Sequence, residues 1–372
     1  MTKEQRIIKE EKLIEALPKL LAHFTVVEDP RAQNVQHKLK DILAIAICAV
    51  ICGSNTFTEI AQYGQAKEGL LKTFLELKNG IPSHDTFRRV FMVLDAEAWQ
   101  GMFFAWTRQL VLEQPNSPTE VRAVDGKFSR ASGLHTVSVW ASEHHVVLAQ
   151  EQVPDKTNEI TVIPGLLEVL DIAGTTVTID AAGTQKQIAW TAREHYADYV
   201  LALKGNHPKL FEDVKWLFAQ HERSAHWSSQ EKGHGRTETR EVWLLDDLSF
   251  LENTSTWRDL AAVARVRCTR EMKGEVSVND RYFLSSLTDV NALAHAVRAH
   301  WGIENSLHWI LDVAFDEDAN RTRAEHAQAN LVTLRHLALN QLKRESSLKA
   351  SIKTKRMRAG WDDDYLLKVL YA

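Results

Sequence analysis

At residue 119 the hydrophobic rhythm of this chain changes, and few folds accommodate the change. Before it, apolar residues recur at helical spacing. After it, short apolar or alternating runs take turns with helical segments. VRAVD (121–125) reads as a strand. HTVSVWAS (135–142) and VVLAQEQV (146–153) read as a hairpin about the polar turn Glu143-His144-His145. Residues 159–170 return to helix, TTVTID (175–180) is a strand, QKQIAWTAREH (185–195) is helix, and YVLALK (199–204) is a strand closed by Gly205-Asn206. Three strands, helix, strand, helix, strand is the order of a mixed sheet with helices packed on it, so the expected class is α+β, or mixed α/β.

The flanks extend this plan. Residues 4–24 and HKLKDILAIAICAVIC (37–52) carry helical patterns, the second ended by Gly53, and Thr56–Gly64 and Gly69–Leu77 look like two shorter helices. Ser83 can cap a helix that turns Phe87, Val90, Phe91 and Leu94 inward and leaves Arg88 and Arg89 outside. With an aromatic-rich helix over 96–112, residues 1–114 make a helical N-terminal domain. Gln114-Pro115-Asn116-Ser117-Pro118 makes a linker. Residues 207–282 hold one helix (208–218) and alternating stretches at 239–245, 261–270 and 276–284. They read as a β-rich insertion dividing the core into 119–206 and 283–345. Helix runs from Val290 to about Lys343, and 346–372 is a basic C-terminal tail finishing in a short helix.

No run of eighteen uncharged apolar residues exists. The longest candidate, Ile42 to Cys52, is too short to span a bilayer, and the charged stretch 1–24 lacks the apolar segment of a signal peptide. A soluble, cytoplasmic protein with no membrane partner is expected. Cys48, Cys52 and Cys268 do not make a disulfide framework; the first two read as small core residues. The net charge of −4 is unevenly spread: residues 119–320 hold 20 Lys+Arg against 30 Asp+Glu, and residues 321–372 hold 11 against 5. An acidic centre with a basic end suits a cation site beside a polyanion-binding surface.

The chemistry centres on RAHWGIENSLHWILDVAFDED (298–318). At helical spacing His300, Glu304, His308 and Leu311 fall on one stripe, flanked by Trp301, Ile303, Leu307 and Ile310. An amphipathic core helix with a solvated Glu304 would explain the segment alone. Upstream, Asp125-Gly126-Lys127 and Asp180-Ala181-Ala182-Gly183 each close a strand with an aspartate followed by small residues. Singly each is a common turn signal. Together with Glu304 they form three carboxylates carried by a sheet and its packed helix. Such a set can hold two Mg²⁺ ions about 4 Å apart, and those ions activate a water or a 3′-hydroxyl against a phosphodiester. A zinc site on His300, Glu304 and His308 is the weaker reading, because Zn²⁺ prefers N and S donors. Trp216, Trp227 and Trp243 read first as core or hinge aromatics and secondly as surfaces for a flipped base.

HKLKDILAIAICAVICG (37–53), GIPSHDTFRRVF (80–91), AVDGK (123–127), TIDAAGTQK (178–186), LALKGN (201–206), HGRTETR (234–240) and HWGIENSLHWILDVAFDED (300–318) together resemble the H-repeat-associated (ISAs-group) bacterial insertion-sequence transposases. These are DDE transposases with an RNase H-like catalytic core, and the resemblance covers nearly the whole chain. It implies that Asp125, Asp180 and Glu304 are the catalytic, metal-binding triad for Mg²⁺ or Mn²⁺. It also implies that double-stranded DNA, both element ends and target, is the partner, and that a homo-oligomer forms on DNA, hence on the nucleoid. Lys127, His300, Lys204, Asn206, Arg236, Arg88, Arg89, Lys353, Lys355, Arg356 and Arg358 are the candidate DNA contacts. One departure stands out. Related transposases carry tyrosine, arginine, glutamate and lysine on the last helix, where this chain has Val297, His300, Glu304 and Leu311. The rival expectations are a nuclease that only hydrolyses and a domesticated or decayed element that only binds DNA.

Overall fold

The computed structural model describes residues 23–24, 27–31, 35–113, 117, 119–154, 156–220, 225–233, 235–324 and 326–372. The helix expected over 4–24 lies almost wholly outside the described residues, as does most of the linker. The strands are β1 Val121–Phe128, β2 His135–Ala141, β3 Val146–Gln152, β4 Thr176–Ile179, β5 Asp198–Leu203, β6 Trp227–Gly233, β7 Arg236–Leu245, β8 Ala262–Met272 and β9 Glu275–Ser285. They form one sheet in the order β3-β2-β1-β4-β5-β9-β8-β7-β6. β1 pairs antiparallel with β2 and parallel with β4, and β4 pairs parallel with β5. Strand order 3-2-1-4-5 with those directions is an RNase H-like core.

The longer helices are α1 Leu39–Ile51, α2 Phe57–Ala66, α3 His84–Val93, α4 Ala96–Leu112, α5 Ile163–Val169, α6 Lys186–Glu194, α7 Pro208–Gln220, α8 Val290–Ile303, α9 Trp309–Phe315, α10 Ala327–Arg344, α11 Ile352–Trp361 and α12 Asp363–Leu370. One face of the sheet buries Val124, Ile179 and Leu201 under Leu167 of α5, Ile188 of α6 and Leu217 of α7. The other face buries Val121, Val200 and Phe283 under Leu293, Ala296 and Val297 of α8.

Three sequence expectations change here. The segment after residue 226, which lies between the helix and the alternating stretches expected from the sequence, is β6. It is an edge strand of exposed Ser, Gln, Glu and Lys with no apolar alternation to betray it, and backbone pairing with β7 holds it. β9 crosses residues 282 and 283, where the sequence reading divides insertion from core, because it pairs antiparallel with β5 and continues the core sheet. Finally, the first helices do not stand apart. Every residue of α1 except Lys40 is buried, and a helix apolar all round needs partners on all sides. α2, α10 and α11 supply them, so the N-terminal and C-terminal helices share one core through Ile45, Phe91, Leu334 and Leu366.

The basic tail is therefore two packed helices, α11 and α12, and two of its cations point inward. Arg356 donates from Nε and Nη2 to the carbonyl of Val50 (3.0 and 2.8 Å), from Nη2 to the carbonyl of Ser54 (3.1 Å) and the Asn55 Oδ1 (2.9 Å), and from Nη1 to the carbonyl of Ala314. Lys355 donates to the carbonyls of Leu342 and Glu345. Each cation caps the C-terminal end of a helix, where carbonyls lack intrahelical partners. Lys355 and Arg356 are withdrawn as DNA contacts; Lys353 and Arg358 stay exposed.

The edge strand β3 is closed from the same helical layer. Asn340 of α10, fully buried, accepts from the N–H of Val147 and donates to its carbonyl, both at 2.8 Å. Asn340→Leu leaves both backbone groups buried and unpaired, each at about 1–3 kcal/mol. Urea unfolding of that variant should show a loss of about 2–4 kcal/mol, and a loss under about 0.5 kcal/mol would contradict this account.

Candidate active site

Parallel pairing of Val124 with Ile179 brings the next residue of each strand, Asp125 and Asp180, to the same edge of the sheet. β4 ends at Ile179. β1 does not stop at Asp125 as the sequence reading has it, but runs on to Phe128, because β2 keeps pairing with it after β4 has left. The N–H of Gly126 donates to Asp125 Oδ1 and that of Gly183 to Asp180 Oδ1, both at 3.0 Å, so backbone fixes one oxygen of each carboxylate. Gly126 has a packing reason too: a Cβ there would lie 2.0 Å from Oε1 of Glu159.

Glu304 arrives on the helical segment that follows α8. Residues Glu304–His308 form a π turn between α8 and α9. The apolar anchors Ile303, Leu307, Leu311 and Phe315 are spaced by four and all buried in the helical core. A four-residue step overshoots the 3.6-residue period by about 40°, and a π turn, which is wound wider, takes up that drift. The result differs from a straight stripe. His308 turns inward, its side chain 7% exposed, while Glu304 is 51% exposed toward the cavity.

His308 Nδ1 stands 3.6 Å from Asp125 Oδ2 and 3.6 Å from Glu304 Oε2. Ligand atoms of Asp125, Glu304 and His308 all lie within 4.8 Å of one another. Asp180 is outside that group but lines the same cavity of about 500 Å³, with Asp125, Thr178, Lys204, His300 and Glu304. Burial, then the neighbouring charge of Glu304, pushes Asp125 up to about 8, and Asp180 adds to the push. The His308 ring beside it brings Glu304 down to about 2 against its own partial burial. Two carboxylates this close share one proton or one cation. Hard oxygen donors at a sheet edge, mutually repelling and open to a cavity, fit a divalent cation such as Mg²⁺ or Mn²⁺. The sequence reading weighs His308 only beside His300, in a zinc set; the structure sets His308 between the carboxylates and turns His300, on the same cavity, to Thr178.

His300 is largely buried, and its Nδ1 lies 3.0 Å from Thr178 Oγ1 on β4. Burial pushes it down to about 4, so it is neutral at working pH and brings no positive charge to the DNA contact expected of it from the sequence. Its folded pKa lies below the unfolded value of about 6.5, so its contribution to stability is intact above that value and is lost as pH falls toward 4. Wild-type activity should therefore show no His300 titration between roughly pH 6 and 9. His300→Arg, which buries a permanent charge, should lower the melting temperature by several degrees. A profile that falls through pH 6.5 and is flattened by His300→Arg would contradict this.

The other candidate contacts divide. Lys127, 10% exposed, pairs with Asp312 and lies 3.8 Å from both Glu317 and Asp318. Its charge is spent tying β1 to α9 and the turn beyond it, so it is withdrawn as a DNA contact. Asn206 Nδ2 donates to the carbonyl of Ala181 at 2.6 Å and braces the loop after Asp180. Lys204 is exposed and lines the cavity. Arg88, Arg89, Arg236, Lys353 and Arg358 are exposed. Among the tryptophans, Trp243 is buried against Arg265 (4.0 Å from ring centroid to guanidinium), Trp216 is exposed on α7, and Trp227 lines a second cavity.

Comparison with known proteins follows the same outline. A family model described as "Transposase DDE domain" matches residues 116–341, and one described as "DDE_Tnp_1-associated" matches residues 21–107. YncI of Escherichia coli O157:H7, named as a candidate transposase, is 36% identical over 374 residues, which cover 95% of each chain. YhhI of Escherichia coli K12, named as an H repeat-associated candidate transposase, is 35% identical over 376 residues, covering 95% of this chain and 98% of that one. An uncharacterized protein encoded in the dhlA 3′ region of Xanthobacter autotrophicus is 41% identical over 290 residues, covering 73% of this chain and 96% of that one. No helix among the described residues is long and apolar enough to cross a membrane.

Proposed function

The chain belongs to the DDE transposase family and is an insertion-sequence transposase, and from that premise we propose that it cuts the ends of its element and joins them to target DNA at Asp125, Asp180 and Glu304. The observation that supports this most is the meeting of Asp125 and Glu304 beside His308, in one cavity with Asp180. The three carboxylates would hold Mg²⁺ or Mn²⁺. Bound there, the metal would supply Lewis acidity at the scissile phosphate and make an attacking water or 3′-hydroxyl more acidic. The chain's own part is positioning. Gly126 and Gly183 orient the two aspartates through their N–H groups, and His308 fixes the facing oxygens of Asp125 and Glu304. The His300–Thr178 contact ties α8 to β4, so the glutamate helix and the Asp180 strand keep their spacing. Lys204 offers a cation to the DNA phosphate at the rim, and Arg236, Arg88, Arg89, Lys353 and Arg358 are the remaining surface cations for the duplex, held by an oligomer that brings two ends together.

The test is a gel of full-length chain with DNA carrying the element's ends, target plasmid and Mg²⁺. Joined donor–target product is expected. Hydrolysed ends without joined product would leave a nuclease, and no cleavage with Mg²⁺ or Mn²⁺ would overturn the assignment.

A further inference from the structure

A second cavity, of about 840 Å³, adjoins that of the carboxylates, between α8 and the extended part of the sheet. Strand alternation builds its floor. Arg236, Glu238, Arg240 and Val242 occupy alternate positions of β7, and Val266, Cys268 and Arg270 alternate positions of β8, so one face carries them all. Arg298 and Trp301 of α8 form the opposite wall. Five guanidiniums line it, counting Arg281 of β9. Glu238 answers Arg236 (3.6 Å), Arg240 and Arg270 (3.6 Å), and Glu231 answers Arg298 (2.6 Å) and Arg240 (3.5 Å). Five cations against two carboxylates leave three positive charges in excess.

The two cavities meet at Arg281, Val297 and Trp301, which line both. The Arg281 guanidinium lies 4.6 Å from the centroid of the Trp301 ring, and that residue is still 45% exposed. Among the described residues Arg281 has no carboxylate within ion-pair distance, and its side chain donates only to Asn279 Oδ1 at 3.3 Å. We infer that this arginine-lined groove is a subsite for single-stranded DNA, holding the nucleotides next to the phosphate at the active site, with phosphates on Arg270 and Arg281 and a base on Trp301. A volume in the small-ligand range cannot admit duplex, whereas excess guanidiniums beside an accessible aromatic face are what a single strand needs. The ligand class rests on the function proposed above, through continuity with the carboxylate cavity.

The experiment follows the fluorescence anisotropy of a labelled oligothymidylate bound by full-length chain in EDTA, over a range of salt. Wild type should bind. Arg270→Ala and Arg281→Ala, both at exposed positions, should each weaken binding and each flatten the log–log salt slope by about 0.7. Trp301→Ala should weaken it about fivefold or more with the slope unchanged, and Trp301→Phe should recover most of that. No binding by wild type, or variants that match it in affinity and slope, would overturn the subsite. Because the assay contains no metal and no cleavage, its failure leaves strand transfer standing. Conversely, absent strand transfer with intact oligothymidylate binding would sink the function and keep the groove.

Discussion

Asp125→Asn, Asp180→Asn and Glu304→Gln should each lower DNA cleavage and strand transfer at least about a thousandfold, roughly 4 kcal/mol of transition-state stabilisation. Each change keeps side-chain volume and removes a hard anionic donor. Stability should respond differently. Asp125 is pressed by burial and by Glu304 toward the protonated form, so a neutral amide there relieves repulsion, and Asp125→Asn should melt at or slightly above the wild-type temperature. Glu304→Gln gives up the His308 contact that holds the carboxylate ionised and should melt slightly lower. End binding in Ca²⁺ should persist in all three. A variant with near-normal turnover in Mg²⁺ would remove its residue from the triad.

Arg356→Met should be the most destabilising single change in the tail, by about 3–5 kcal/mol in chemical unfolding. The methionine fills much of the volume and keeps contact with Phe315, whose ring centroid lies 4.1 Å from the guanidinium carbon. The carbonyls of Val50, Ser54 and Ala314 nevertheless lose a donor in the interior. Arg356→Lys should recover little, since an ammonium cannot fork between α1 and the end of α9. Arg358→Ala, two residues away and exposed, should change stability by no more than about 0.5 kcal/mol. Equal effects at 356 and 358 would mean that the tail is not part of the helical core.

That contrast marks where sequence stops speaking. The aspartates are legible because each follows an apolar strand and precedes small residues, and the hairpin over 135–153 because its strands alternate about a polar turn. Glu304 is legible because a glutamate between histidines on a tryptophan-rich helix has little packing purpose. His308 is not, because spacing on a uniform helix cannot show the π turn that rotates it toward Asp125. Lys127 reads as a cation beside a catalytic residue, and only the fold discloses the carboxylates of Asp312, Glu317 and Asp318 around it. Lys355 and Arg356 look like any charge run, since composition does not say which side of α11 faces the carbonyl ends of α1 and α10. The strand β6 escapes notice because an exposed edge needs no apolar side chains.

The central claim is that the three carboxylates form one cation site, and Mn²⁺ titration followed by electron paramagnetic resonance tests it without DNA or turnover. Wild type should bind Mn²⁺ and, near pH 7.5, release protons as it does so, because the shared proton of Asp125 and Glu304 must leave. Asp125→Asn and Glu304→Gln should each weaken binding by at least about tenfold, with Asp180→Asn weakening it as well. Mn²⁺ affinity unchanged across the three variants, or no binding by the wild-type chain, would contradict the account.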